Sequence, residues 1–295
     1  MSERIRATLY TDPGCPWAYS ALPALRVLDW RYGDQIAWRL VMIGLAESAD
    51  VYRERGYTPG LLLAGHAEFR DRFGMPFATH LKERVPGTAR ACRAVVAARI
   101  LRPGDEWDAL RALQLANFTR PLLLDDDDQL RAVLAEVPGL DADAIVDRLD
   151  DPEVTAAYER DRAEARTAAG SPAQLQGKTA AYGGPERFTA PSLVLERDGA
   201  RLVAGGWQTV EAYDVLVANL DPSLGRREPP RDPAPLLGRY PGGLVTQEVA
   251  ALLTRGNDAT DRAAAEGALL GLVADGRATR EQLGHDALWR AVPAS

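Results

Sequence analysis

At 295 residues the chain is long enough for one large domain with an insertion, or for two domains, and too long for a single small module. Its formal net charge of -7 argues against a general nucleic-acid or anionic-membrane surface, either of which needs a basic stripe. The only cysteines, Cys15 and Cys92, are too few for a disulfide framework and suit a reducing compartment in which thiols are catalytic or incidental. Met1 to Arg6 shows no apolar run after its charges, and no stretch approaches the length of a membrane span, so the expectation is a cytoplasmic protein without a secretory leader.

In chain order, Ile5 to Tyr10 alternates as a strand and is followed by Thr11-Asp12-Pro13-Gly14-Cys15-Pro16-Trp17-Ala18-Tyr19, a turn that opens a helix. Pro16 falls where a helix tolerates proline, because the missing N–H would be unpaired there anyway. The Cys15 thiol is thereby expected at a helix N-terminus, where unsatisfied N–H groups and the dipole favour the nucleophilic thiolate. A small buried cysteine in a tight turn is the plain alternative. Trp17 to Arg31 carries apolar residues at helical spacing, with a kink expected at Pro23, and Gln35 to Ile43 reads as a central strand. Strand, helix and strand at this spacing imply a parallel pair with a right-handed crossover.

From about Tyr57 to Lys178 the character is helical. Segments 61–73, 88–101, 106–118, 126–137, 142–149 and 152–169 read as helices separated by Gly and Pro. The run Asp125 to Asp128 reads as a helix start, its carboxylates favouring the dipole and capping N–H groups, and not as a metal loop. Strands return at Thr189 to Glu196 and Ala200 to Ala204 around a hairpin turn at Asp198-Gly199, followed by a helix over 209–219. The stretch 223–241 is Pro-rich and reads as a linker. Beyond it, helices over 245–253 and 261–275 precede a short wing ending in Leu288-Trp289, a degenerate winged-helix pattern; Arg and acidic residues balance there, so a packing or dimerising appendage is expected in place of a DNA-binding one.

The turn Asp12-Pro13-Gly14-Cys15-Pro16-Trp17-Ala18-Tyr19 resembles the active-site turn of the DsbA family, thioredoxin-like proteins with an inserted helical domain. The family pattern is Cys-Pro-x-Cys, and here Ala18 stands where the second, resolving cysteine would be. Pro16, Ala18 and Tyr19 are also similar to the Ser-Pro-x-Ser/Ala-Tyr turn of 2-hydroxychromene-2-carboxylate isomerases and kappa-class glutathione transferases, with cysteine in place of serine. The resemblance covers roughly residues 5–220. It implies an α/β thioredoxin-like domain of residues 1–56 and 179–222 with an inserted helical domain over 57–178; outside it, the chain's own patterning gives the linker over 223–241 and a small C-terminal helical, winged-helix-like domain over 242–295. It also implies a cis-proline loop at Pro191, with the Ala190 backbone pairing with a bound thiol or peptide, Trp17 at the lip of the site and Tyr19 contributing to thiol binding.

Three functions follow from these residues. In the favoured one, Cys15 performs thiol–disulfide chemistry on a protein or small-molecule partner. With Ala18 unable to resolve the mixed disulfide, resolution falls to Cys92, which reads as a core residue of an apolar helix face, or to a low-molecular-weight thiol such as glutathione or mycothiol, with no tightly bound cofactor. A thiol-cofactor-dependent isomerase or transferase is the second reading, with His66 or His80 as a conceivable base. A non-catalytic thioredoxin-like interaction protein is the third. Metal, nucleic acid and membrane are not expected as partners, and association of two chains is left open.

Overall fold

The computed structural model describes residues 4–78, 80–182, 184–256 and 258–293. Its central strand is the first, β1 (Ile5–Thr11), whose Ile5, Ala7 and Leu9 are buried on one face. The chain then runs through α1 (Pro16–Ser20) and α2 (Leu22–Tyr32) into β2 (Ile36–Met42), which pairs parallel to β1 from Ile5–Ile36 to Thr11–Met42. The expected kink lies at Ala21, between α1 and α2. Pro23 cannot donate to the Tyr19 carbonyl one turn earlier, so the first two turns separate from the rest of the helix there.

Among the described residues, eight helices lie between β2 and the next strand: α3 (Ala49–Glu54), α4 (Pro59–Phe73), α5 (Ala89–Leu101), α6 (Asp105–Thr119), α7 (Asp127–Ala135), α8 (Ala142–Asp147), α9 (Pro152–Ala165) and α10 (Pro172–Leu175). The acidic run acts as a helix start. Asp126 accepts from the Gln129 N–H at 3.0 Å as the α7 cap, Asp127 pairs with Arg90, and Asp125 holds Arg84 at 2.6 Å and the Gly87 N–H at 2.8 Å. Short strands β3 (Thr179–Ala180) and β4 (Arg187–Phe188) pair with each other, and the hairpin β5 (Ser192–Arg197) and β6 (Ala200–Ala204) turns at Asp198-Gly199. β5 joins β1 antiparallel, giving a sheet ordered β2-β1-β5-β6, and α11 (Val210–Leu220) packs on β5, β6 and α2. This is a thioredoxin-like α/β fold.

Past α11 the structure departs from the sequence reading in the Pro-rich stretch. There α12 (Ala234–Arg239) folds back and buries Leu236 and Leu237 against Val27 and Trp30 of α2. The Trp30 indole also donates to the Glu228 carbonyl at 2.9 Å, so these residues are packed and not a free tether. In the C-terminal unit, β7 (Leu244–Val245), α13 (Thr246–Leu253) and α14 (Arg262–Ala274) lead to the hairpin β8 (Ala278–Leu283) and β9 (Asp286–Ala291), in a sheet ordered β7-β9-β8; this hairpin occupies the stretch that reads as a wing in the sequence. Trp289 is fully buried, its indole N–H donating to the Thr246 hydroxyl at 2.9 Å. Among the described residues no helix is long and apolar enough to cross a membrane.

Candidate active site

The turn after β1 is built around Asp12, which the sequence reading quoted but gave no role. Its carboxylate is fully buried and accepts from the Gly14 N–H and Leu45 N–H at 2.8 Å each, from the Thr88 hydroxyl at 3.0 Å and from the Cys92 thiol at 3.4 Å. Burial pushes its pKa up, and these donors work in the opposite direction. Asp12 thus joins the Cys15 turn to the loop after β2 and to the start of α5. Gly14 leaves no space for a side chain, since a Cβ there would lie 2.5 Å from the Thr88 methyl. Gly14→Ala is therefore expected to destabilise the chain by about 1–3 kcal/mol through overpacking, read as a lower urea midpoint at unchanged slope.

Cys15 is the N-cap of α1, with Pro16 in the first turn behind it. Its thiol donates to the Ala190 carbonyl at 3.1 Å, and the Ala190–Pro191 peptide is cis. The Pro191 loop is braced by Ser192, whose hydroxyl donates to the Thr189 carbonyl at 2.6 Å and accepts from the Gly206 N–H at 3.1 Å. Residues 175 positions apart in sequence thus meet at one sulfur.

The electrostatics differ from the sequence expectation of a lowered thiol pKa. With 5% of its surface exposed, Cys15 is pushed up to about 12, chiefly by burial, with the nearby Asp12 carboxylate adding to the rise. The Ala18 and Trp17 backbone N–H groups and the Arg187 guanidinium pull the other way, so the helix-terminus effect is present but outweighed. Arg187, 8% exposed, is a second residue that sequence reasoning missed. Its position in a two-residue strand carried no periodic signal, and only the fold brings its charge to Asp12 and Cys15.

Trp17 forms the lip, 39% exposed, edge-on to Phe69 at 4.9 Å and Phe73 at 5.7 Å of α4. Ala18 is buried beside Cys15, and Pro191 is buried as well. Tyr19 corrects the expectation of a thiol-binding residue. It is fully buried, stacks on Phe118 at 4.7 Å and donates to the Pro76 carbonyl at 2.9 Å, so its ring packs in an aromatic cluster of the helical region and is closed to any ligand. His66 packs on the same cluster, 5.3 Å from Phe118, and burial lowers its pKa to about 4, while His80 is exposed. Cys92 is fully buried on α5, its pKa raised by burial and by the Asp12 carboxylate to which it donates.

A buried cysteine capping a helix against a cis-proline loop, on a sheet with a helical insertion, is the arrangement of the DsbA-type thioredoxin fold. The DSBA-like thioredoxin domain family matches residues 7–188, more than half of the chain, and the protein belongs to that family. No curated protein matches the chain. Among solved structures it is similar to the cytosolic disulfide reductase DsbM from Pseudomonas aeruginosa (20% identity, TM-score 0.51, covering 74% of this chain and 100% of that one), also solved with GSH (19% identity, TM-score 0.51, covering 73% and 98%). A probable DsbA oxidoreductase from Streptomyces coelicolor is similar at 19% identity and a TM-score of 0.53, covering 75% of this chain and 91% of that one. At these identities the structural likeness concerns the fold.

Proposed function

We propose that the protein is a thiol–disulfide oxidoreductase acting through the single cysteine Cys15, in a reducing compartment, with a low-molecular-weight thiol such as glutathione or mycothiol as the resolving partner. The observation that carries this reading is the contact of the Cys15 thiol with the Ala190 carbonyl beside cis-Pro191, at the N-cap of α1. The Cys15 thiolate attacks one sulfur of a disulfide, forming a mixed disulfide and expelling the other sulfur as a thiolate that takes up a proton. Because residue 18 is alanine, a thiolate of the small-molecule partner attacks the mixed disulfide next, releasing the substrate sulfur as a new disulfide and regenerating Cys15. The net change is exchange of one disulfide for another, with one thiol consumed and one released. The presence of GSH in a DsbM structure supports a small thiol as this partner.

A second reading rests on the raised pKa. A thiol held protonated and donating to Ala190 serves as a neutral hydrogen-bond donor, the role a serine hydroxyl would play, for an enzyme that holds a thiol cofactor without net redox change. Two measurements in a Cys92→Ser background test the readings: the pH dependence of Cys15 alkylation checks the raised pKa that both face, and the adduct left by oxidised glutathione separates them. In the free chain the rate is expected to keep rising through pH 9 without a plateau, as follows from a pKa near 12. Oxidised glutathione is then expected to leave one adduct, on Cys15. Absence of that adduct at any pH at which the chain stays folded would sink the redox reading and leave the donor role.

A further inference from the structure

On the face of the sheet that carries Leu9 and Thr11, a cavity of about 250 Å³ separates β1 and α2 from α6. It reaches Ala18 and Pro191 from behind, while Cys15 itself is not on its wall. Pockets for drug-sized ligands run to about 300–1,000 Å³, so its volume suits a molecule of one or two rings. Two tryptophans line it, Trp38 and Trp107, edge to face at 6.2 Å, with leucines such as Leu25 around them. It shares Arg26, Asp29, Asp108 and Arg111 with a neighbouring groove that runs to Tyr240, Gly242 and Gly243, which provides an entrance beside the C-terminal unit.

The polar atoms of this wall are incomplete. The Trp38 indole N–H, the Nε–H groups of Arg26 and Arg111 and the Gln114 side-chain carbonyl are each buried without a hydrogen-bond partner among the described residues, and Gln114 and Arg111 are only 1% and 6% exposed. Buried polar groups are ordinarily paired, and four left open on the wall of one cavity mark a place where something else completes them. The open set comprises three donors and one acceptor. Both cations on the wall, Arg26 and Arg111, pair with Glu248 at 3.6 and 2.7 Å, which leaves neither free for an anion and favours an uncharged occupant over an anionic one.

We propose that this cavity, which meets the thiol site only at Ala18 and Pro191, is a binding site for a neutral one- or two-ring aromatic amide or lactam. Its carbonyl accepts from Trp38 or Arg111, its N–H donates to Gln114, and its ring lies against the tryptophans and leucines. Calorimetric titration of the full chain with 2-quinolone tests this, beside N-methyl-2-quinolone, which lacks the donor, and quinoline-2-carboxylate, which is charged. The expected result is saturable one-to-one binding of 2-quinolone with Kd below about 1 mM, weakened about tenfold by N-methylation or by charge. In Gln114→Leu the two quinolones are expected to bind alike, and in Leu25→Trp, which fills the space, neither binds. Far-UV circular dichroism verifies that both variants are folded, and Cys15→Ser retains the site. No saturable binding to the wild-type chain, equal affinity for the N-methylated probe, undiminished binding in folded Leu25→Trp, or loss of binding in Cys15→Ser would each overturn the proposal, the first leaving a cavity completed by water and the last placing the probe in the thiol cleft.

Discussion

Replacing Cys15 with serine is expected to abolish both the glutathione adduct and turnover of a small disulfide, a loss of several orders of magnitude, whereas Cys92→Ser keeps the adduct at one per chain. The asymmetry follows from where each sulfur sits. Cys15 lies beneath the Trp17 lip with its thiol against the Ala190 carbonyl, so a disulfide docking on the Pro191 loop meets that sulfur. Cys92 is fully buried and donates to the same Asp12 carboxylate that anchors the turn. To resolve a mixed disulfide on Cys15 it would have to leave Asp12, give up its proton against burial and a neighbouring negative charge, and reach past the turn. Mass spectrometry of each variant after exposure to oxidised glutathione checks the prediction. An adduct persisting in Cys15→Ser, or an intramolecular Cys15–Cys92 disulfide in the wild-type chain, would move the chemistry to a two-cysteine scheme.

The second large effect concerns stability. Arg111 of α6 and Glu248 of α13 form a two-pronged pair at 2.7 Å on both prongs, with side chains 7% and 0% exposed. Arg111 also donates to the Gly243 carbonyl, and Glu248 accepts from the Val245 N–H at 2.9 Å, closing the start of α13. Removing one partner of a buried pair strands the other charge, so Glu248→Gln is expected to cost about 3–5 kcal/mol and lower Tm by roughly 10 °C. Burial alone would raise the Glu248 pKa, but Arg111 and Arg26 outweigh it and the carboxyl is held below its usual range. A group whose folded pKa is depressed contributes stability that is present above its unfolded value and is lost as pH falls through the folded one. Wild-type stability should accordingly decline on acidification below about pH 4.5, and Glu248→Gln should flatten part of that decline. Thermal unfolding of both chains from pH 3 to 7 tests the sign.

Much of this architecture could be read in order along the chain, since local patterns carried it. Alternation marks β1, the density of apolar and β-branched residues marks β2, Asp-Gly marks the β5–β6 hairpin, and Pro16 and Pro23 mark the start and the break of the helix that Cys15 caps. The cis-proline loop came from resemblance, because nothing local distinguishes Pro191 from a strand-edge proline. What stayed hidden depends on partners distant in sequence. Asp12 looks like an ordinary turn aspartate until Leu45, Thr88 and Cys92 converge on it. Arg187 gains its place only when β4 packs beside the turn. Tyr19 follows Cys15 so closely that it reads as part of the candidate site, yet on α1 its ring packs on Phe77 and Phe118. The thiol pKa illustrates the same division: a helix N-terminus is visible in sequence, whereas the burial that outweighs it is a property of the assembled fold.

The bond from Cys15 to Ala190 also has a consequence in time. The Cys15 turn leaves the ribosome well before the carbonyl that covers its sulfur, which follows 175 residues later. At about 5–20 residues per second, that interval lasts on the order of ten seconds or more. Throughout it the thiol of a nascent chain lacks the burial that raises its pKa in the finished protein, so oxidants and small disulfides can reach it more easily during synthesis than at any later stage.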